Sequence, residues 1–163
     1  MKRAGVLTLS DKGAAHLRED KSGPVVSGIL RALGMEVVIE DIIPDDHDLI
    51  RERLLSWCDR LRLDLVVTTG GTGLSPRDVT PEATLSVIER RVPGMEEAMR
   101  AEGMKKTPHA MISRAVVGAR GRTLIVNLPG SPKAARECLE AVAPALGHAL
   151  AKLGGDTTEC AQQ

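Results

Sequence analysis

Apolar positions along the chain fall into short runs separated by polar stretches, and the runs alternate between strand-like and helix-like spacing. Ala4 to Ser10, with Val6, Leu7 and Leu9, reads as a buried strand. The polar stretch from Asp11 to Ser22 reads as a loop. Ser22-Gly23-Pro24 opens a helix, with Ser22 as cap and proline in the first turn, that runs to about Leu33 and stops at Gly34. Glu36 to Ile43 is a second strand, rich in Val and Ile and ended by Pro44. Asp46 or Asp48 caps the next helix, where Leu49, Ile50, Arg53, Leu54, Trp57 and Leu61 fall at helical spacing. Leu65 to Thr69 is a compact apolar strand, and Thr80-Pro81-Glu82 opens a helix capped by Thr80. A short helix starts near Pro93 and ends by Gly103. Ala115 to Ala119 and Thr123 to Leu128 read as two strands joined at Gly121. Ser131-Pro132 starts a last helix reaching about Leu153, and the polar tail from Gly154 to Gln163 is expected to be loose.

Strands alternating with helices predict one α/β domain over residues 1–153, with three α/β/α layers around a mostly parallel sheet. No repeat or linker divides the chain. Lys plus Arg and Asp plus Glu both total 22, so no net field draws the protein to nucleic acid or an anionic membrane. No apolar run approaches the roughly 20 residues that span a bilayer. The start, Met1-Lys2-Arg3, lacks a signal-peptide core, and a cytoplasmic location is the expectation. Cys58, Cys138 and Cys160 show neither zinc nor redox-pair spacing and read as small core or tail thiols. Trp57 is the sole aromatic residue. A planar ligand must then be held by backbone groups, carboxylates and aliphatic walls rather than by stacking rings.

Two glycine-bearing loops leave apolar strands, where open α/β sheets bind ligands. Gly70-Gly71-Thr72-Gly73 lets successive N–H groups converge on an anion, with the Thr72 hydroxyl beside them. Leu128-Pro129-Gly130-Ser131 feeds a helix N-terminus that favours phosphate. Neither is a P-loop or a dinucleotide fingerprint, and a plain tight turn explains either one alone. Ser75-Pro76-Arg77-Asp78-Val79-Thr80-Pro81 sets Arg77 and Asp78 between two prolines. Asp78 there is either a cap for the following turn or a metal or substrate carboxylate. Arg77 is either a surface ion-pair partner or a neutraliser of substrate charge. Asp45, after Pro44, is a cap or faces the same sheet edge, and Asp11 and Asp20 divide similarly.

The run from Thr68 to Thr84, TTGGTGLSPRDVTPEAT, resembles the signature of the MogA/MoaB family of molybdenum-cofactor biosynthesis proteins. Ser10-Asp11, Asp20 to Pro24, Ile43-Pro44-Asp45 and Asn127 to Lys133 also resemble family segments, in the family's order. The resemblance implies magnesium-dependent transfer of AMP from ATP to molybdopterin, releasing pyrophosphate, and a homotrimer that passes its product to a metal-insertion protein. It places the family's functional aspartates on Asp45 and Asp78, with Asp78 as the magnesium or catalytic carboxylate. Asp45 would accept hydrogen bonds from the pterin or share the metal. Ser10, Asp11, Ser22, Gly70, Gly71, Thr72, Gly73, Ser75, Arg77, Asn127, Pro129, Gly130, Ser131 and Lys133 are the implied substrate-binding residues. The alternatives are a family member that binds the pterin with little adenylylation, or a trimeric scaffold module.

Overall fold

Alternate residues of the central strands divide between two apolar clusters, and this division builds the layers. The computed structural model describes residues 1–158; Cys160 and the end of the tail lie outside the described residues. On β1 (Arg3–Leu9), Ala4 and Val6 enter one cluster while Leu7 and Leu9 enter the other. On β3 (Leu65–Thr69), Leu65 and Val67 oppose Val66 in the same way. On β6 (Thr123–Leu128), Leu124, Val126 and Leu128 oppose Ile125. A strand buried on both faces is a continuous apolar run, as these are.

The first cluster is covered by α2 (Ser22–Ala32), α5 (Pro93–Met104) and α6 (Pro132–Leu153). The second is covered by α3 (His47–Leu55) and α4 (Thr80–Leu85). The expected three-layer α/β/α domain is therefore found. With β2 (Glu36–Ile43), β4 (Arg90–Arg91) and β5 (Val117–Arg120), the sheet runs in the order β2-β1-β3-β6-β5-β4. Strands β2, β1, β3 and β6 are parallel, and β5 and β4 pair antiparallel at one edge.

From β1 the chain crosses through α2 to β2 on one side, then through α3 to β3 on the other. The strand order thus reverses between β1 and β3, and their carboxyl ends open a crevice. Trp57 is 2% exposed and belongs to the second cluster, where it and Leu63 occupy the space that a side chain on Gly5 would need.

Several local expectations differ. The segment after β1 is not all loop, because Asp11–Ala14 forms a short helix, α1. Helix α3 passes into a π-helical turn, Ser56–Arg60, which shifts the periodicity. Leu61, after this turn, stays exposed, and Leu49, in the first turn of α3, is exposed as well, while Trp57 and Cys58 are buried. Ser22 does not cap α2. The Asp20 carboxylate does so, accepting from the Ser22 and Gly23 N–H groups at 3.1 and 3.0 Å. Thr80 lies inside α4 and donates its hydroxyl to the Gly70 carbonyl at 2.9 Å instead of capping. The short strand β4 and the 3₁₀ turn Pro108–Ile112 were not expected from the sequence pattern. Among the described residues no helix is long and apolar enough to cross a membrane.

Candidate active site

The crevice between β1 and β3 is a cleft of about 720 Å³, open at the carboxyl ends of the parallel strands. Ser10, Ser22, Asp45, Gly70, Gly71 and Asp78 line it, and Gly130 and Ser131 close it from the second glycine-bearing loop. Residues from five separated sequence segments therefore meet at one place.

The glycine loop is shaped by sterics at two positions. Gly70 and Gly71 have φ of 102° and 67°, in the left-handed region that side chains disfavour. A Cβ on Gly70 would lie 2.4 Å from the Leu9 carbonyl oxygen, and one on Gly71 would lie 2.3 Å from Thr80 Oγ1. The two loops are also tied together. Gly70 N–H donates to the Leu128 carbonyl at 3.0 Å, and the Thr69 hydroxyl donates to the Pro129 carbonyl at 2.8 Å. A Cβ on Gly130 would come within 3.4 Å of Gly70 Cα.

Asp45 is held by a reciprocal pair with Asp11. Asp11 N–H donates to Asp45 Oδ2 at 3.0 Å, and Asp45 N–H donates to Asp11 Oδ1 at 3.1 Å. Arg77 then grips Asp11 through two nitrogens, Nε and Nη2, at 3.0 and 2.7 Å. These bonds hold the Asp11 carboxyl below the usual carboxylate range, outweighing its slight burial. Burial pushes the Asp45 carboxyl above that range. The Asp11 N–H opposes this, while the charges of Asp11 and Asp78 add to it.

Asp78 Oδ2 accepts from Ser75 N–H at 3.0 Å, so one oxygen closes the local turn while the residue still lines the cleft. The bond runs back to Ser75 rather than into the following turn, and α4 has no side-chain cap. Arg114 fixes this loop from outside, donating to the carbonyls of Gly73 and Asp78 at 2.8 Å each and pairing with Glu82. Nothing in the local sequence around Arg114 signals that role.

Among the described residues no group of three or more His, Cys, Asp or Glu is arranged to hold a metal unaided. Asp45 and Asp78, two of the carboxylates that line the cleft, do suit magnesium, which binds through one or two carboxylates and completes its shell with water and substrate phosphates. Like charges gathered around Asp45 are a field that a divalent cation relieves.

Not every expected residue reaches the cleft. Asn127 is fully buried with its amide committed: Nδ2 donates to Thr68 and Thr84 hydroxyls at 3.0 Å each, and Oδ1 accepts from Val116 N–H at 3.1 Å. It supports the loops from below and is not a substrate contact. Arg77 and Lys133 do not line the cleft, and Arg77 is engaged with Asp11. Thr72, Gly73 and Pro129 face a separate apolar pocket of about 250 Å³. The cleft instead gains Thr8, Arg18, Glu19, Asp20 and Lys21. Burial pushes the Cys58 and Cys138 thiols up to about 11, consistent with inert packing.

Residues 5–148 match the family model described as a probable molybdopterin binding domain. The chain is 44% identical over 148 residues to a molybdopterin adenylyltransferase of Helicobacter pylori, covering 90% of this chain and 84% of that protein. It is 41% identical over 155 residues to the molybdenum cofactor synthesis protein cinnamon of Drosophila melanogaster, covering 94% of this chain but spanning only 26% of that protein. The crystal structure of the molybdopterin biosynthesis enzyme MoaB from Thermus thermophilus superposes with a TM-score of 0.91 at 51% identity, covering 96% of this chain and 98% of that one.

Proposed function

The chain belongs to the molybdopterin-binding domain family of molybdenum-cofactor biosynthesis, and from that premise we infer that it is a molybdopterin adenylyltransferase. It transfers AMP from ATP to the phosphate of molybdopterin. The observation that carries this reading is the placement of Asp45 and Asp78 in one cleft with the two glycine-bearing loops, at Gly70-Gly71 and at Gly130-Ser131.

The nucleophile is a phosphate monoester, anionic near neutral pH, so no strong general base is required. An oxygen of that phosphate forms a bond to the α-phosphorus of ATP. The bond from that phosphorus to the oxygen bridging to the β-phosphate breaks, and its electron pair leaves with pyrophosphate. The difficulty is electrostatic, since two anions must meet and a third must depart. Magnesium, held by Asp78 and by phosphate oxygens, would neutralise charge on the transferring group. Asp45, fixed by Asp11 and half-buried, accepts hydrogen bonds from the pterin's amino and ring N–H groups or shares the metal. Gly70 and Gly71 shape the loop around phosphate or the pterin edge, and Gly130 and Ser131 receive another anionic group at the start of α6.

The same reading carries a homotrimeric assembly, a cytoplasmic setting and a downstream metal-insertion protein that consumes the adenylylated pterin. Incubation with molybdopterin, ATP and magnesium, followed by mass detection, is expected to yield adenylyl-molybdopterin and pyrophosphate. Tight pterin binding without product would place the chain among pterin-binding members that do not catalyse.

A further inference from the structure

Arg18 and Lys21 reach the cleft from the segment between α1 and α2, and neither makes a hydrogen bond or ion pair with any described residue. The backbone carrying them is nevertheless fixed at both ends. At the start, His16 turns with φ of 57°, its N–H donating to the Gly13 carbonyl at 3.1 Å, and Leu17 N–H donates to the Lys12 carbonyl at 2.8 Å. At the end, Asp20 binds the first N–H groups of α2 and accepts from the Thr8 hydroxyl of β1 at 2.8 Å. An anchored segment thus presents two uncommitted cations to the cleft.

Charge makes them necessary there. The residues lining the cleft include four carboxylates, Glu19, Asp20, Asp45 and Asp78, against only these two cations. One divalent metal does not by itself suit such a cleft to both a nucleotide triphosphate and a pterin phosphate. The other cations expected to help are elsewhere: Arg77 is taken by Asp11, and Lys133 does not line the cleft. Gly130, Ser131 and Pro132, where α6 begins, line the same cavity.

We propose that Arg18 and Lys21 clamp the β- and γ-phosphates of the nucleotide and neutralise the pyrophosphate as it leaves. This role rests on the adenylyl-transfer reading and assigns the leaving-group side of that reaction. Arginine supplies a forked pair of donors and lysine a compact charge, a pairing suited to a mobile polyphosphate.

The test is calorimetric titration of the full chain with magnesium pyrophosphate and, separately, with AMP. The Arg18→Ala/Lys21→Ala double variant is expected to lose about tenfold or more in pyrophosphate affinity, with AMP affinity unchanged. Its KM for ATP rises while its KM for molybdopterin does not. Arg51→Ala, which removes an exposed cation of α3 away from the cleft, is the control for net charge and should leave both affinities intact. Unaltered pyrophosphate affinity in the double variant, or no pyrophosphate binding by the wild type, overturns the clamp. Clamp-dependent pyrophosphate binding by a wild type that makes no adenylyl-molybdopterin keeps the clamp and removes the transferase reading. Normal product formation by both proteins with unchanged KM for ATP does the reverse.

Discussion

Asn127 has no solvent exposure, and its single amide ties β6 to β3, to α4 and to the residue preceding β5. Truncation leaves a buried backbone N–H and two buried hydroxyls without their partner, so Asn127→Ala should destabilise by about 3 kcal/mol. Urea unfolding checks this; a variant with native stability but weakened substrate affinity would restore Asn127 as a ligand contact. Sequence motifs made Asn127 conspicuous without revealing which way its amide points. The same limit applies to Arg77, whose partner Asp11 is 66 positions distant. The glycines and Asp45 stood out because they follow strand ends, whereas the role of Asp78, nine residues beyond β3 and beside α4, came through the family resemblance. Arg18, Lys21 and Arg114 were not, since their relevance depends on contacts, or on the absence of contacts, that only the folded chain defines.

At the scale of elements, strand and helix positions followed from apolar spacing wherever the segment was long and buried. The misses lie where one interaction overrides spacing. Asp20 takes the capping role of Ser22, and the π-helical turn after α3 interrupts the spacing that placed Leu61 on the buried face. The two-residue strand β4 is too short to leave a period, and Glu96 holds it in place. That carboxylate is 2% exposed, receives Nε and Nη2 of Arg91 at 3.0 and 2.9 Å, and accepts from Val117 N–H at 3.0 Å. Burial pulls its pKa upward, but the hydrogen bond from Arg91, the Val117 N–H and the charges of Arg91 and Arg100 outweigh it, so the carboxyl sits below its ordinary value. A depressed folded pKa stabilises the protein above the unfolded glutamate value of about 4.3, and that contribution disappears as pH falls through the folded pKa. Glu96→Gln should therefore lose stability near neutral pH and show a flatter acid limb in urea titrations. Parallel pH profiles for the two proteins would remove Glu96 from the acid response.

At the scale of the molecule, the fold supplies a site by reversing strand order beside β1, and the sequence supplies the chemistry by placing carboxylates and glycines at the strand ends that meet there. The alternation of elements made this architecture readable in advance, because a parallel sheet buried on both faces leaves few arrangements for its crossovers. Substrate identity comes from the family, while the cleft explains why these residues suit the reaction. The most direct measurement is adenylyl-molybdopterin formation by the wild type and Asp78→Ala side by side, with and without magnesium. The account predicts product only with the wild type and only when magnesium is present, while both proteins remain folded. Equal product from folded Asp78→Ala would contradict the assignment of the chemistry to this carboxylate.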